Sequence, residues 1–413
     1  MNVLLCSSLL LKKAALFSTF LLFWGFSHTI ARTPEDIERS IRALVTNGSI
    51  ILNDESGNTL ISHNESQLLM PASIVKIITS AVAIDLLGTD FRFKTEFFRN
   101  SQGELAIKGW GDPFMISEEI GLIAAELKKR GMHSIDRISL DNSTFYPNIT
   151  IPGVSRTLNP YNAINGALVT NFNTLNLRRS AQGTISSAEE ATPLTPLAAI
   201  MGNSIAAGST RRINLSDNRE NCLRYAGELF VEIFKGAGIE VVNESVSLSK
   251  SGEDWEPFYT HYNSNDLTTI NRGLQRFSNN FIANQLFLVI GAENRGYPAT
   301  IEKGRDVFEE YIKTRLNIAP GKLVMTEGSG ISRSNRVSGN VMIEVLENRK
   351  ELAELLPSNR NALLKSGTLT GVYNYAGYIQ TDTGLRPFVI ILNQDANHRD
   401  RILDLLIEYC NIN

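Results

Sequence analysis

Pro71-Ala72-Ser73-Ile74-Val75-Lys76-Ile77-Ile78-Thr79-Ser80-Ala81-Val82-Ala83-Ile84-Asp85-Leu86-Leu87-Gly88 is the stretch on which the reading of this sequence turns. After Pro71-Ala72, residues Ser73 to Leu87 make an apolar run of helical length that stops at Gly88. Ser73 falls in the first turn, where free backbone N–H groups and the positive end of the helix dipole meet its hydroxyl. Lys76 is one turn further on, so it projects from the same face beside Ser73. A serine beside a lysine is a nucleophile beside a base, provided that the lysine is neutral. Burial and a second nearby cation both lower a lysine's pKa. In isolation the same letters mean only a helix N-cap and a solvated lysine. They recur at Ser247-Leu248-Ser249-Lys250, but a strand-like alternation precedes that match and Ser251-Gly252 follows it. Its serine and lysine would not share a helix face.

Working outward, a Lys-Ser/Thr-Gly triplet, Lys365-Ser366-Gly367, stands on a predicted strand and is followed by Thr368. Serine enzymes with a lysine base carry Ser-x-x-Lys, Ser-x-Asn and Lys-Thr/Ser-Gly in that order. Three Ser-x-Asn triplets lie between the outer two motifs: Ser216-Asp217-Asn218, Ser278-Asn279-Asn280 and Ser338-Gly339-Asn340. Ser278-Asn279-Asn280 abuts the apolar helix Phe281 to Ile290, which can hold two side chains rigidly toward a cleft. Ser216 sits in a polar loop, and Ser338 reads as the N-cap of the next helix. We therefore take Ser278 and Asn280 as the middle element, and Lys365 as the cation that keeps Lys76 neutral. The five histidines are scattered and no cysteine pair has zinc spacing, so no metal site is expected. Gly328-Ser329-Gly330 is not a nucleophile elbow, because Glu327 stands where that turn needs glycine.

The 413 residues are 43% hydrophobic and 20% charged, a globular composition with room for two or three folding units. The net charge of −3 and the lack of a long basic run argue against a nucleic-acid partner. Lys12-Lys13, the apolar run Ala14 to Phe26 and the small residues up to Ala31 read as a secretory signal peptide over residues 1–31. The expected location is exported and periplasmic. Cys222 and Cys410 follow it; they could form one disulfide, and two buried thiols are the plainer reading. Periodicity predicts helices over Thr33 to Val45, Glu118 to Arg130 and Arg219 to Ala237, and a helical series from Leu267 to Asn348. A hairpin is predicted at Ser49 to Leu52 and Thr59 to Ser62, and strands follow at Phe91 to Phe98, Ile135 to Leu140 and Ile239 to Val242. Pro147 to Gly208 reads as loop-dominated, with one strand near Leu175 to Leu177. Three strands between Ala362 and Leu392 and a helix from Arg399 to Tyr409 close the chain. The fold class expected is α/β (α+β): helices on an antiparallel sheet, with an irregular insertion in the middle.

Further motifs surround these: Gly111-Asp112-Pro113, Leu140-Asp141-Asn142-Ser143-Thr144-Phe145, Asn171-Phe172-Asn173-Thr174, Glu327-Gly328-Ser329-Gly330-Ile331-Ser332-Arg333 and Gly371-Val372-Tyr373-Asn374-Tyr375-Ala376-Gly377-Tyr378. Over nearly the whole chain after residue 31, the sequence resembles the D-alanyl-D-alanine carboxypeptidase/endopeptidase family, the low-molecular-mass class C penicillin-binding proteins. It departs from that family at Glu327, where Asp is usual, and in a short interval between Ser73 and Ser278. The resemblance implies a penicillin-recognising transpeptidase-like domain over residues 32–92 and 262–413, and an inserted domain over 93–261. It implies acyl transfer without a cofactor, acting on peptidoglycan peptide stems and trapped by β-lactam antibiotics. Ser73 would be the nucleophile, Lys76 its base and Ser278 a proton relay. Asn280 would bind the acyl-side amide, and Lys365, Ser366, Gly367 and Thr368 would line the carboxylate site. The backbone N–H groups of Ser73 and Thr368 would form the oxyanion hole. Asp141 would meet the amino end of the peptide side chain; a strand-end turn residue is its other meaning. A serine β-lactamase shares the three motifs, but the long insertion serves no small β-lactam. A non-catalytic cell-wall-binding module would be expected to have lost one of Ser73, Lys76 or Lys365.

Overall fold

The computed structural model describes residues 32–216, 218–248 and 254–412. The signal peptide expected over residues 1–31 lies outside them. The chain opens with α1 (Pro34–Leu44), whose start is fixed by a capping box between Thr33 and Asp36. The hairpin β1 (Gly48–Asn53) and β2 (Thr59–His63) follows, then α2 (Val75–Leu87). A second region begins with β3 (Lys94–Arg99), β4 (Leu105–Gly109), α3 (Ser117–Lys129) and β5 (Ser134–Asp141). It continues with β6 (Thr174–Arg179), β7 (Ile185–Ser187), α4 (Pro196–Met201), β8 (Ser209–Asn214), α5 (Arg219–Gly236), β9 (Glu240–Leu248) and β10 (Glu256–Tyr262). The chain then returns as α6 (Leu267–Phe277), α7 (Asn280–Arg295) and α8 (Ile301–Arg315). The short β11 (Leu323–Val324) and β12 (Arg336–Val337), α9 (Gly339–Asn348) and β13 (Ser358–Asn359) precede the last sheet strands. These are β14 (Ala362–Leu369), β15 (Val372–Thr381) and β16 (Gly384–Leu392), with α10 (Arg399–Ile412) behind them.

The main sheet is antiparallel with the order β13-β14-β15-β16-β1-β2, so both ends of the chain share it. Ile50 of β1 lies opposite Ile390 of β16. Alternation sends successive residues to opposite faces. Ile50, Leu52 and Ile390 join α1 and α10 in one core, while Ile51, Val389 and Ile391 join α2 and α6 to α9 in another. Each such side chain contributes about 1.5–3 kcal/mol by leaving water. α2 is apolar all round and buried from Val75 through Ala83, as a helix sandwiched between a sheet and other helices must be. β13 pairs only with Ala362 and Leu363, so among the described residues no strand pairs on the outer edge of β14 from Lys365 to Leu369.

The second sheet has the order β10-β3-β4-β5-β9. Its β4–β5 and β5–β9 pairs are parallel, with α3 and α5 on the crossovers, around a separate core that includes Ile138, Leu229 and Phe230. β3 and β10, which leave and re-enter this region, pair directly, with Lys94 opposite Tyr262. Residues 147–208 are loop-dominated, as expected, and the strand expected near Leu175 to Leu177 is β6, which pairs with β7, and with β8 beyond the loop region, in a three-stranded sheet. Arginines, serines and asparagines on the half-exposed face hide the alternation of the partner strands. One expectation needs correction: β10 was unpredicted, because Pro257 interrupts its pattern; the strand tolerates it by running along an edge with a register shift there. The two regions meet through Gln285 of α7, whose Nε2 donates to the Gly166 carbonyl at 2.6 Å and whose Oε1 accepts from Asn165 at 2.8 Å. Cys222 and Cys410 are unpaired and buried in different cores. Among the described residues no helix is long and apolar enough to cross a membrane.

Candidate active site

Ser73 stands in a single 3-10 turn, Ala72–Ile74, and the α-helix itself begins two residues later than its apolar run suggested. The turn brings Ser73 Oγ to 2.9 Å from Lys76 Nζ. Lys76 is fully buried. Its Nζ also donates to Asn280 Oδ1 at 2.8 Å and to the Ser329 carbonyl at 2.5 Å. These three partners suit a neutral amine. Two N–H groups go to the two oxygens that can only accept, and the lone pair is left facing a hydroxyl that can donate. Burial, and then the charge of Lys365, push the Lys76 pKa well below its ordinary value, against the pull of the Glu327 carboxylate. No ion pair joins Lys76 to a carboxylate among the described residues.

Two glycines let backbone approach the nucleophile. A β-carbon on Gly330 would fall 1.9 Å from the Ala72 carbonyl oxygen, and its φ of +83° already favours glycine. A β-carbon on Gly367 would fall 3.0 Å from the Ser73 nitrogen, so β14 runs directly against the turn that carries the hydroxyl. The Gly328–Ser332 loop is held from within by Glu327. This fully buried carboxylate accepts from Ser329 N, Ser329 Oγ, Gly330 N, Ser332 N and Asn335 Nδ2. Thr79 Oγ1 and Asn284 Oδ1 clamp Gly328 from α2 and α7. In the sequence Glu327 stands out only as a departure from a pattern; five polar groups converging on one buried acid show what it does.

Lys365 is also buried, and its Nζ donates to the Ser366 carbonyl at 3.0 Å. Burial lowers its pKa to about 8. Ser366 and Thr368 are exposed on the other face of the strand. Ser278 caps α6 in the left-handed region, with φ +52°. It makes no hydrogen bond with Lys76 in this structure; Asn280, two residues on, occupies that side and also donates from Nδ2 to the Tyr161 carbonyl at 3.3 Å. Ser278 and Asn280 line a cavity of about 1000 Å³ between the α6–α7 junction and the second region, walled by Phe114, Phe172 and Phe281. Asp141 ends β5, is buried, and accepts from Ser143 N at 2.9 Å. It does not line that cavity. Ser338 caps α9 through Val341 N, and Ser247 lies within β9 with Lys250 outside the described residues.

A serine 2.9 Å from a buried lysine, set between helices and the edge of an antiparallel sheet, fits one class, the penicillin-recognising serine acyltransferases. The chain belongs to the D-Ala-D-Ala carboxypeptidase 3 (S13) family, which residues 39–358 match. It is similar to the D-alanyl-D-alanine carboxypeptidase DacB of Haemophilus influenzae, with 25% identity over 84% of this chain and 85% of the relative. The crystal structure of penicillin binding protein 4 (dacB) from the same organism superposes with a TM-score of 0.72 and 20% identity, covering 91% of this chain and 98% of that one. Bd3459, a predatory peptidoglycan endopeptidase from Bdellovibrio bacteriovorus, shares the fold with a TM-score of 0.55 and 15% identity, covering 88% and 92%.

Proposed function

We propose that the chain is an exported serine D-Ala-D-Ala carboxypeptidase/endopeptidase that acts on peptidoglycan peptide stems and is acylated by β-lactams at Ser73. Family membership and the DacB relative support the activity. The observation that carries the residue assignment is the 2.9 Å contact of Ser73 Oγ with a fully buried lysine that makes no ion pair among the described residues. In this reading, residues 93–261 form an inserted domain beside the cleft, and the substrate lies along the free edge of β14.

The Ser73 proton passes to Lys76 Nζ as Oγ bonds to the carbonyl carbon between the two D-alanines. The carbonyl oxygen becomes an oxyanion, received by the backbone N–H groups of Ser73 and Thr368, each typically worth about 3–4 kcal/mol. The C–N bond then breaks, and the leaving amine takes the proton from Lys76. Ser278 relays that proton once Asn280 has turned from Lys76 to the acyl-side amide. Lys365, Ser366 and Thr368 hold the terminal carboxylate. Water attacks the acyl-enzyme as Lys76 takes one of its protons, the bond between the acyl carbon and Ser73 Oγ breaks, and Lys76 passes that proton to Ser73. In a β-lactam the ring amide is the bond that opens, so the leaving amine stays tethered.

The decisive experiment is intact-mass measurement after incubation with benzylpenicillin, followed by peptide mapping. One adduct on the peptide carrying Ser73, absent from Ser73→Ala, is expected. An adduct that persists on another serine in that variant would sink the assignment.

A further inference from the structure

Arg399 opens α10 and reaches back to the end of β14. One of its Nη1 hydrogens goes to Thr368 Oγ1 at 2.6 Å. Its guanidinium lies over the Tyr375 ring, 4.6 Å from the centroid. Its Nε is buried and has no hydrogen-bond partner. No carboxylate among the described residues pairs with it, although acids stand close by. Asp400 and Asp404 of the same helix are taken by Arg360, and Asp400 also accepts from the Tyr375 hydroxyl at 3.0 Å. A cation in the first turn of a helix also faces the wrong end of the dipole. Nothing in the packing of α10 calls for this charge, yet a ring and a hydroxyl hold it in place.

We infer that Arg399 is a specificity-determining residue of the carboxylate site, receiving the C-terminal carboxylate of the substrate together with Thr368. The inference rests on the reading given under Proposed function. Guanidinium has no acceptor, so Thr368 Oγ1 accepts in their contact and its own proton is free to point outward. A carboxylate taking that proton lies within roughly 4–5 Å of Nη1, close enough for the side chain to swing its fork onto both oxygens. The division of labour with Lys365 follows from where each side chain sits. Lys365 is buried on the Ser73 side of the strand, and its pKa of about 8 makes it a variable charge. Arg399 stands on the opposite face and is charged at every working pH.

The test is steady-state kinetics on a peptide ending in D-Ala-D-Ala, as the free acid and as the C-terminal amide, with the wild type, Arg399→Gln and Arg399→Lys. Arg399→Gln should raise KM for the free acid about tenfold or more, with kcat within about threefold, and leave the amide unchanged. Arg399→Lys keeps the charge and the stem and should recover part of the loss. Equal losses on both substrates, or none on either, would overturn the inference while leaving the Ser73 assignment intact. A wild type that neither hydrolyses the free acid nor forms a penicillin adduct would overturn both. Should Arg399→Gln fold poorly, Arg399→Lys carries the same comparison, because an unchanged acid-to-amide ratio there also counts against the bidentate grip.

Discussion

The pocket around Lys76 and the cluster around His261 bury comparable polar groups and treat them in opposite ways. His261 Nε2 lies 2.6 Å from Glu119 Oε1, and Tyr259 Oη is 3.1 Å from its Nδ1. Glu119 takes two further hydrogen bonds from Ser264. Burial pushes the Glu119 carboxyl up, but the His261 and Ser264 hydrogen bonds outweigh it and hold the pKa below its ordinary value. Here, where β10 leads into α6, the buried carboxylate is met by hydrogen-bond donors on every side and the cluster ties two regions together. Lys76 receives no such match: its neighbours are a hydroxyl and two carbonyl oxygens, and the nearest cation repels its charged form. Burial with its hydrogen-bond donors supplied keeps a group charged and structural; burial beside a repelling cation favours the neutral amine that the proposed base requires.

The contrast can be broken at Lys76 first. Lys76→Gln keeps the volume and removes the lone pair. Acylation by a fluorescent penicillin should slow by about 10²–10⁴-fold at every pH, with the melting temperature nearly unchanged. Large unfolding instead of slow acylation would make Lys76 a structural residue. Glu119→Gln should do the reverse. Leaving His261 without its partner should cost about 3–5 kcal/mol of stability, while the acylation rate of the folded fraction stays at the wild-type value; denaturant unfolding monitored beside penicillin labelling separates the two.

Lys365→Gln probes the link between the cations. Acylation requires neutral Lys76 and therefore rises with pH through the Lys76 pKa. Without the repulsion from Lys365 that pKa goes up, so the half-maximal rate should move to higher pH by about one unit. Selection for a free C-terminal carboxylate should also fall. A superimposable pH profile would show that Lys365 does not reach Lys76. Asp112→Asn should have the smallest effect. Burial raises the Asp112 carboxyl to about 6, against hydrogen bonds from Asn263 and Phe114. Its folded pKa is above its unfolded one, so its contribution is complete below about pH 4 and is lost as pH rises through 6. The asparagine variant should flatten the stability curve between pH 5 and 7 by about 1–2 kcal/mol in thermal scans. Glu119, shifted the other way, contributes stability that is complete above the ordinary glutamate pKa and is lost as pH falls, so the direction of the slope distinguishes them.

Where one letter sufficed, the sequence was informative. Ser338 announced a helix start through its cap, and Lys365-Ser366-Gly367 was legible because glycine must follow where β14 meets Ser73. What stayed hidden has no letter. The Ser329 carbonyl that receives Lys76 is backbone, and nothing marks it in advance. Glu327 read as a departure because its five donors come together only after the loop has closed. The contact of Asn280 rather than Ser278 with Lys76 depends on the left-handed turn between α6 and α7, which neither residue type dictates. Arg399 escaped notice for a similar reason: its partner is Thr368, a strand away.

β1 is among the first elements of the chain and β16 nearly the last, yet they are neighbours through Gly48 to Leu392. The N-terminal hairpin therefore has nothing to pair with until almost every other residue has been made. Closing so long a loop carries an entropic cost that must be met before the contact returns anything, and non-local pairings of this kind fold slowly. A nascent chain stopped before Gly384 would expose β1 as an apolar strand with one side unpaired, a template for association with other chains. The same pairing ties the site to both flanks of the sequence: β14, which borders Ser73, is fastened through β15 and β16 to β1, a strand more than 300 residues earlier.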